Sequence, residues 1–301
     1  MMDQGRSHHG LLTDITVFCH NDMMRVSMVT LCALMVVGGC RHANRLERPD
    51  FAPNEPCLSV VTYNVNFGVP QPENVVRYLA DSGAAVVCLQ ETHTRWERIL
   101  KHGLGRIYPH TYFQEWQAAG GMAVMSRYEL RNVAVLEPEV GWWPALLVEV
   151  DTPVGAVQIL NVHLKPPLTE RGRVSVGAYC QAPGIHREEM EGFLRHVDLD
   201  CPLIIAGDFN ENEIGLAMES LFDQGFTSAL STYDRRSNTW YWKVWPGIAL
   251  NDRFDHIMYT GDLHCTGAEV VPVSGSDHMP VRAVIVQREP VVAATGAVGG
   301  Q

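Results

Sequence analysis

The stretch LIIAGDFNEN, residues 203–212, decides the fold. Leu203–Ala206 is a continuous apolar run with the length of a buried strand. Asp208 and Asn210 then bring in polar side chains, and a helical pattern follows over Ile214–Asp223. A buried strand that ends in polar residues before a helix indicates a layered α/β fold, in which such strand ends build ligand sites.

Similar apolar, β-rich runs occur along most of the chain. They are Leu58–Tyr63, Ala85–Leu89, Met122–Ser126, Ala145–Val150, Ala156–Val162, His256–Tyr259 and Val281–Val286. Several are apolar throughout, as expected for strands that are covered on both faces. Helical patterns lie at Glu73–Asp81 and Arg187–Val197 as well as 214–223. We therefore predict an α/β (α+β) fold in which packed mixed sheets are flanked by helices.

Polar sets follow most of these runs. They are Asn64 and Asn66, Glu91, His163, Asp208 with Asn210, Asp255, and Asp277 with His278. Each has an ordinary structural explanation by itself, such as a turn or a helix cap. Six such sets, most of them directly after β-rich runs, favour one common site.

Seven motifs follow one another between Thr62 and Val281: TYNVNFG, VVCLQETH, GGMAVMSRY, LNVHLKPP, LIIAGDFNEN, RFDHIMYT and VSGSDHMPV. In this order they resemble the superfamily that contains deoxyribonuclease I, exonuclease III, the neutral sphingomyelinases and the inositol-polyphosphate phosphatases. The resemblance implies a four-layer, deoxyribonuclease I-like sandwich of two mixed sheets. It also implies a divalent-metal-dependent hydrolase of phosphate esters, although a shared fold does not name the substrate.

The resemblance implies a site for Mg²⁺ or Mn²⁺. Glu91 is the expected metal ligand, since these hard cations prefer carboxylate oxygens and retain several waters. Asn66, where some relatives have aspartate, lies beside it by resemblance, and Asp277 is a further expected ligand. Asn64 is expected near the metal or the phosphate.

The resemblance also implies catalytic roles. Asp208 orients or deprotonates the attacking water, and Asn210 contacts the phosphate. His278 acts as a base or a phosphate ligand, and Asp255 holds its tautomer by a hydrogen bond. His163 donates to the phosphate or protonates the leaving group; the alternative for His163 is a buried structural histidine. Which of Asp208 and His278 activates the water stays open.

Two differences from the nuclease relatives indicate which branch of the superfamily the chain resembles. Relatives of the exonuclease III type usually have tyrosine at the position of His163. In deoxyribonuclease I a glutamate partners the equivalent histidine, and the counterparts here are Gly120 and Gly121. The chain therefore resembles the sphingomyelinase and phosphatase branches, which favours a phosphodiesterase or phosphatase of small organic or lipid phosphates. The alternatives are an extracytoplasmic nuclease and, more remotely, a catalytically inactive binding module.

Two aromatic groups could shape a substrate pocket or only pack in the core. For Trp142 and Trp143 the two interpretations are evenly balanced, whereas for Trp240 packing is favoured. The formal net charge of −11 argues against a protein that coats nucleic acid, so nucleic acid enters only as a substrate. The expected partners are a phosphate ester and a membrane, and we expect a monomer.

The N-terminal region has the pattern of an export signal. The apolar stretch Val26–Val37 is too short to span a bilayer and is followed by Gly38-Gly39-Cys40, which resembles a bacterial lipobox. We expect residues 1–40 to be an over-extended start with a lipoprotein signal peptide, and Cys40 to carry the lipid; a plain signal peptide or an uncleaved anchor is the alternative. Residues 41–56 are a linker, 57–288 the catalytic domain and 289–301 a loose tail. The predicted location is the bacterial cell envelope, outside the cytoplasm and anchored to a membrane.

Overall fold

The computed structural model describes residues 47–68, 72–245 and 248–288. The predictions for the signal peptide, Cys40 and the tail lie outside the described residues. Residues 47–56, which belong to the predicted linker, have irregular backbone, and the amides of Glu47 and Asp50 donate to the carbonyls of Thr232 and Thr266. In the described part of the chain, no helix is both long and apolar enough to cross a bilayer.

The described elements alternate between strands and a few helices. In chain order they are β1 Cys57–Asn64, α1 Glu73–Asp81, β2 Val86–Gln90, α2 Thr94–Leu104, β3 His110–Gln114, β4 Met122–Ser126, β5 Leu130–Leu136, β6 Ala145–Thr152, β7 Gly155–His163, α3 Val176–Leu194, β8 Leu203–Asp208, α4 Leu216–Asp223, β9 Thr227–Ser228, α5 Ala229–Tyr233, β10 Trp240–Trp245, β11 Ile248–Asp252, β12 Asp255–Tyr259, β13 Leu263–Val270 and β14 Val281–Gln287.

The described residues form two compact units. The smaller consists of Pro166–Ala182, in which Leu168 and Val174 form an isolated β-bridge. The larger comprises the described residues before and after that segment. It holds two six-stranded mixed sheets, with strand orders β13-β14-β1-β2-β4-β3 and β5-β6-β7-β8-β12-β9, and a β10–β11 hairpin.

Three apolar clusters define the layers of the larger unit. One lies between the sheets, where inward side chains such as Val60 and Ile204 meet. A second joins the outer face of one sheet to α4 and to the α3 residues Met190 and Phe193. The third joins the other sheet to α1 and α2. The order helix–sheet–sheet–helix confirms the predicted four-layer sandwich.

Helix boundaries differ from the sequence prediction in two places. Helix α3 is predicted from Arg187 to Val197, but it spans Val176–Leu194 and carries Pro183 inside it. Proline and glycine have low helix propensity, so residues 176–186 lack a helical signature in the sequence. Helix α4 begins at Leu216 rather than at Ile214.

The inward face of the sandwich turns polar at one end. Inward positions alternate along each strand, so the apolar core is followed by Asn64, Gln90, Asn161, His163, Asp208 and Asp255. The register sets Asn64 beside Gln90 in one sheet, and His163 and Asp255 beside Asp208 in the other. Strand pairing therefore gathers polar side chains from both sheets at one end.

A buried amide pair joins the two sheets just below these residues. The Gln90 amide nitrogen donates to Asn161 Oδ1 over 2.7 Å. The Asn161 amide nitrogen donates to the carbonyls of Leu89 and Ala123, over 3.1 and 3.0 Å. Both side chains are fully buried. Because buried amides need these partners, the pair fixes the spacing between the sheets.

Candidate active site

Three of the predicted site residues have a left-handed backbone. Asn66, Glu91 and Asn210 have φ values of 57°, 62° and 50°. They lie in the turns directly after β1, β2 and β8. Such a conformation is unfavourable for a side chain as large as glutamate, and it clusters at functional sites.

Asn64 joins the two sheets within the site. Its amide nitrogen donates to Glu91 Oε1 over 3.1 Å and to Asp208 Oδ2 over 3.0 Å. The backbone amide of Phe67 donates to the other Glu91 oxygen over 2.8 Å. Burial raises the pKa of Glu91, and the hydrogen bonds from Phe67 and Asn64 oppose that rise. Asn64 thus contacts the predicted metal ligand and the predicted catalytic aspartate together.

Asn66 and Asp277 form the outer part of the same group. The Asn66 amide nitrogen donates to Asp277 Oδ1 over 2.6 Å. The Ser276 hydroxyl donates to the Asn64 carbonyl over 2.8 Å and accepts from the His278 amide over 3.0 Å. Ser276 was not singled out in the sequence, although it lies in the VSGSDH motif. It ties the loop of Asp277 and His278 to the end of β1.

Asp208 is the centre of the predicted catalytic group. Its Oδ2 lies 3.5 Å from His163 Nε2 and 3.6 Å from His278 Nε2. Its Oδ1 accepts a hydrogen bond from the backbone amide of Asn210 over 2.9 Å. Burial raises the pKa of Asp208 to about 7, against the opposing influence of His278. A carboxyl group with such a pKa is suited to accept a proton near neutral pH.

His278 and Asp255 form a buried pair. His278 Nδ1 lies 2.8 Å from Asp255 Oδ2, and Asp255 is completely buried. Burial alone would lower the pKa of His278, but the Asp255 and Asp208 carboxylates outweigh it and raise that pKa to about 10. The two carboxylates therefore favour the imidazolium form of the ring, whose Nε2 lies 3.6 Å from Asp208 Oδ2.

His163 is the second buried histidine of the site and has different neighbours. Its Nδ1 is buried without a hydrogen-bond partner. The indole of Trp143 stacks on the ring, with centroids 3.9 Å apart and an interplanar angle of 32°. Burial and the nearby charge of His278 hold the pKa of His163 well below its usual range. His163 is therefore neutral.

Asn210 is held by backbone groups. Its amide nitrogen donates to the Leu164 carbonyl over 2.8 Å, which links the turn after β8 to the end of β7. An amide nitrogen carries two hydrogens, so the second can still donate to a phosphate oxygen. The close approach of these strands needs Gly207, because a Cβ there would clash with the Val162 carbonyl.

Two groups of side chains could hold a cation. Ligand atoms of Asp208, Asp255 and His278 all lie within 4.8 Å of one another. Asp255 already shares a proton with His278, however, so that space belongs to a hydrogen-bonded pair. Glu91 and Asp277 accept hydrogen bonds from neutral donors, which leaves their negative charge for a cation.

The donor chemistry of Glu91, Asn66 and Asp277 fits the predicted metal. All three offer hard oxygen atoms, which suit Mg²⁺ or Mn²⁺. Enzymes of this fold family are typically dependent on a divalent metal. The residues present are therefore compatible with a divalent cation at the Glu91 side of the site.

The two tryptophan groups have different surroundings. Trp143 is buried against His163, so it contributes to the site wall. Trp240 packs on Phe254, with ring centroids 5.1 Å apart, and its backbone pairs with that of His278 in an isolated bridge. The sequence leaves a role of Trp143 in the substrate pocket and ordinary core packing evenly balanced, and it does not predict the contact with His163, because stacking across the fold leaves no local pattern.

Solved structures with the same fold include several phosphoesterases. An endonuclease/exonuclease/phosphatase from Beutenbergia cavernae is 20% identical over 77% of this chain and 72% of that chain, with a TM-score of 0.60. Danio rerio TDP2, solved in complex with a single-strand DNA product, is 16% identical over 76% of this chain and 98% of its own, with a TM-score of 0.62. An AP endonuclease from Archaeoglobus fulgidus is 18% identical over 76% of this chain and 99% of its own, with a TM-score of 0.57.

The search of curated proteins found no match. The family model described as Endonuclease/Exonuclease/phosphatase family matches residues 61–278, which is most of the chain. The match begins in β1 and ends at His278, so it includes every candidate residue that the structure gathers between the two sheets. The chain therefore belongs to the endonuclease/exonuclease/phosphatase family.

Proposed function

We propose that this protein is a divalent-metal-dependent phosphoesterase that hydrolyses small organic or lipid phosphodiesters or monoesters. The family comprises hydrolases that act on phosphodiester bonds. The observation that carries the proposal is the meeting of two histidines on Asp208, with Asn64 bridging Asp208 to Glu91. This arrangement places a proton acceptor, a cationic donor and a neutral donor around one point.

The residues divide the chemistry between them. A divalent cation held by Glu91, Asn66 and Asp277 would offset the charge of the phosphate when bound. Asp208 orients the attacking water and accepts its proton, since its pKa of about 7 is near the operating pH. Asn64 keeps the Asp208 carboxylate in place through its amide hydrogen bond.

The histidines act as donors in this scheme. His278 is already protonated, because Asp255 and Asp208 raise its pKa to about 10, so it binds a phosphate oxygen rather than removing a proton from water. This favours Asp208 over His278 as the group that activates the water. His163 is neutral, so its ring donates a hydrogen bond to a phosphate oxygen, and the leaving oxygen takes its proton from water. Asn210 supplies a further amide hydrogen to the phosphate.

The preference for small or lipid phosphates rests on the net charge, on two departures from the nuclease relatives and on one further prediction. The chain has a formal net charge of −11, which repels a polyanion. His163 stands where abasic-site enzymes usually have tyrosine, and Gly120 and Gly121 stand where deoxyribonuclease I has glutamate. The predicted lipid anchor would also bring the site close to a membrane. A nuclease is the second candidate, since the similar TDP2 structure contains a single-strand DNA product.

A substrate panel tests this function. The purified domain is assayed with Mg²⁺ or Mn²⁺ on bis(p-nitrophenyl) phosphate, sphingomyelin, inositol phosphates, supercoiled DNA and RNA. We expect turnover of a small or lipid phosphate, loss of activity with chelator, and loss in Glu91→Gln. Cleavage of DNA or RNA alone would replace the first candidate by the nuclease. An absence of turnover, together with no metal binding by calorimetry, would favour the inactive binding module.

We further propose that Cys40 carries a lipid that anchors the protein outside the cytoplasm of a bacterial cell, and that the enzyme is monomeric. The support is the sequence Val37-Gly38-Gly39-Cys40 after an apolar stretch. Cys40→Ala should move the protein from the membrane fraction to the soluble fraction. An unchanged membrane fraction would refute the lipid anchor, and a dimer mass by light scattering would refute the monomer.

A further inference from the structure

The two site histidines differ in what lies on their Nδ1 side. His278 has the Asp255 carboxylate there, at 2.8 Å. His163 Nδ1 is buried without a hydrogen-bond partner. A histidine that takes part in proton transfer normally has its ring fixed by a hydrogen bond to the second nitrogen. Without a carboxylate at Nδ1, the position of the His163 ring depends on weaker contacts, namely the Ala119 backbone and the side chains that pack on the ring.

Besides the Ala119 backbone and the Asp208 carboxylate, the Trp143 indole contacts the His163 ring and stacks on its face. The two ring centroids are 3.9 Å apart, and the planes differ by 32°. Trp143 is 7% exposed and His163 2%, so both rings are excluded from water. Stacking fixes the plane of the His163 ring. The surrounding atoms determine how the ring is turned within that plane.

The position of the indole depends on Gly120. A Cβ at Gly120 would clash with Cδ1 of both Trp143 and Trp116. Trp116 in turn donates from its indole nitrogen to the Trp142 carbonyl over 3.2 Å. Gly120, which stands in place of an acidic partner, thus provides the space that Trp143 occupies beside His163.

The loop that carries Trp143 is also held in place. Gly141 has φ of 86°, and a Cβ there would clash with the Glu189 carboxylate. Glu189 is buried, and its two carboxylate oxygens accept hydrogen bonds from the backbone amide of Lys165 over 3.0 and 3.3 Å. Lys165 lies two residues after His163. One buried carboxylate therefore contacts the segments on both sides of the Trp143–His163 stack.

From this geometry we propose that Trp143 is a positioning residue for His163, and that Gly120 is required to seat it. Trp143 fixes the plane of the His163 ring, in which Nε2 lies 3.5 Å from Asp208 Oδ2, and so has for His163 part of the positioning role that Asp255 has for His278. The inference rests on the proposed phosphoesterase function. It concerns the rate of the chemical step, not the binding of the substrate.

The test combines histidine NMR with kinetics. An indole stacked on His163 shifts the carbon-bound ring protons of that histidine upfield, and His163→Gln identifies those signals. We expect Trp143→Leu and Gly120→Ala to remove the upfield shift and to lower kcat about tenfold with little change in KM. Trp143→Phe should retain part of the shift and most of kcat, because it keeps a stacked ring.

Gly184→Ala is the matched control, since Gly184 lies in α3 and a Cβ there meets nothing within 4 Å. It should change neither the shift nor kcat. The proposal is overturned if Trp143→Leu leaves the His163 signals in place, or if the shift is lost while kcat stays unchanged. The NMR arm needs no substrate, so if no phosphate ester is turned over the function fails and the shift alone decides whether Trp143 positions the ring.

Discussion

His163 and His278 lie at almost equal distances from one oxygen of Asp208, 3.5 and 3.6 Å, and both rings are buried. Their charge states nevertheless differ. Asp255 and Asp208 raise the pKa of His278 to about 10, whereas burial and the His278 charge lower the pKa of His163. The difference comes from the charged neighbours: His278 has the Asp255 carboxylate at Nδ1, whereas His163 is buried beside the charge of His278 and has only the Ala119 backbone to oppose the fall in its pKa.

This comparison shows how one site holds a cationic donor and a neutral donor a few ångströms apart. Two imidazolium rings this close would repel each other, so one histidine must remain neutral. The carboxylates beside His278 and the burial of His163 favour His278 as the charged ring. The predictions below test that division of roles, beginning with the largest expected effect.

Asp255→Asn should lower kcat about 10³–10⁴-fold, because an amide neither stabilises the imidazolium nor enforces its tautomer. Steady-state kinetics on the substrate found in the panel measures it. Asp262→Asn, an acid-to-amide change at an exposed turn after β12, is the control and should retain activity. A decrease below tenfold in Asp255→Asn would mean that the pair does not set the state of His278.

His163→Gln should lower kcat about 10²-fold, since the ring that fixes the position of the donor is lost while the charge of the site is kept. His278→Gln, assayed alongside, should have a larger effect because it removes a positive charge as well as the ring. The ratio of the two kcat values is the measurement. Equal losses, or a greater loss in His163→Gln, would break the distinction between the two rings.

Asn161→Leu should lower the free energy of unfolding by about 3 kcal/mol, because Gln90 and the carbonyls of Leu89 and Ala123 lose buried hydrogen-bond partners. Asn161 lies two residues before His163 and ties its sheet to the sheet that carries Glu91. Urea unfolding measures the change. Asn54→Leu, at an exposed position, serves as the control. Equal unfolding midpoints for both variants would contradict the amide link.

Glu189 should make stability dependent on pH. Burial raises its pKa from 4.5 to about 7, so its contribution to stability is complete below pH 4.5 and is lost as pH rises through 7. The free energy of unfolding of the wild type, compared with that of Glu189→Gln, should therefore fall by about 2 kcal/mol between those two pH values. Unfolding curves of both proteins across that range measure it. A difference that stays constant with pH would show that the carboxyl group does not titrate in this range.

Much of the fold could be predicted from local patterns. Each apolar run of the sequence corresponds to a strand, and helix α1 spans Glu73–Asp81 as predicted. The predicted elements do not include strands β3, β5, β9, β10, β11 and β13 or helices α2 and α5. Many residues of β3 and β5 are only partly buried, so these strands lack a continuous apolar run. Helix α3 extends further back than predicted, because Pro183 and nearby glycines hide its first half.

The candidate site shows the same limit. The residues could be named from their motifs, and the structure places them in one hydrogen-bonded group. Their roles as metal ligands and catalytic groups stay predictions. Ser276 and the backbone amide of Phe67 were not foreseen, because a serine in a turn and a main-chain donor have no distinctive sequence signal.

By itself, the sequence determined the layered fold, the family and the residues at the strand ends, because strand patterns and motif order are local properties of the chain. The tertiary structure alone decided which histidine is charged and which is neutral. Charge state depends on burial and on neighbours that are distant in the sequence, such as Asp255 for His278 and Trp143 for His163. The tertiary structure also explains the requirement for Gly120, because a Cβ at that position would clash with Trp143 only once the chain has folded.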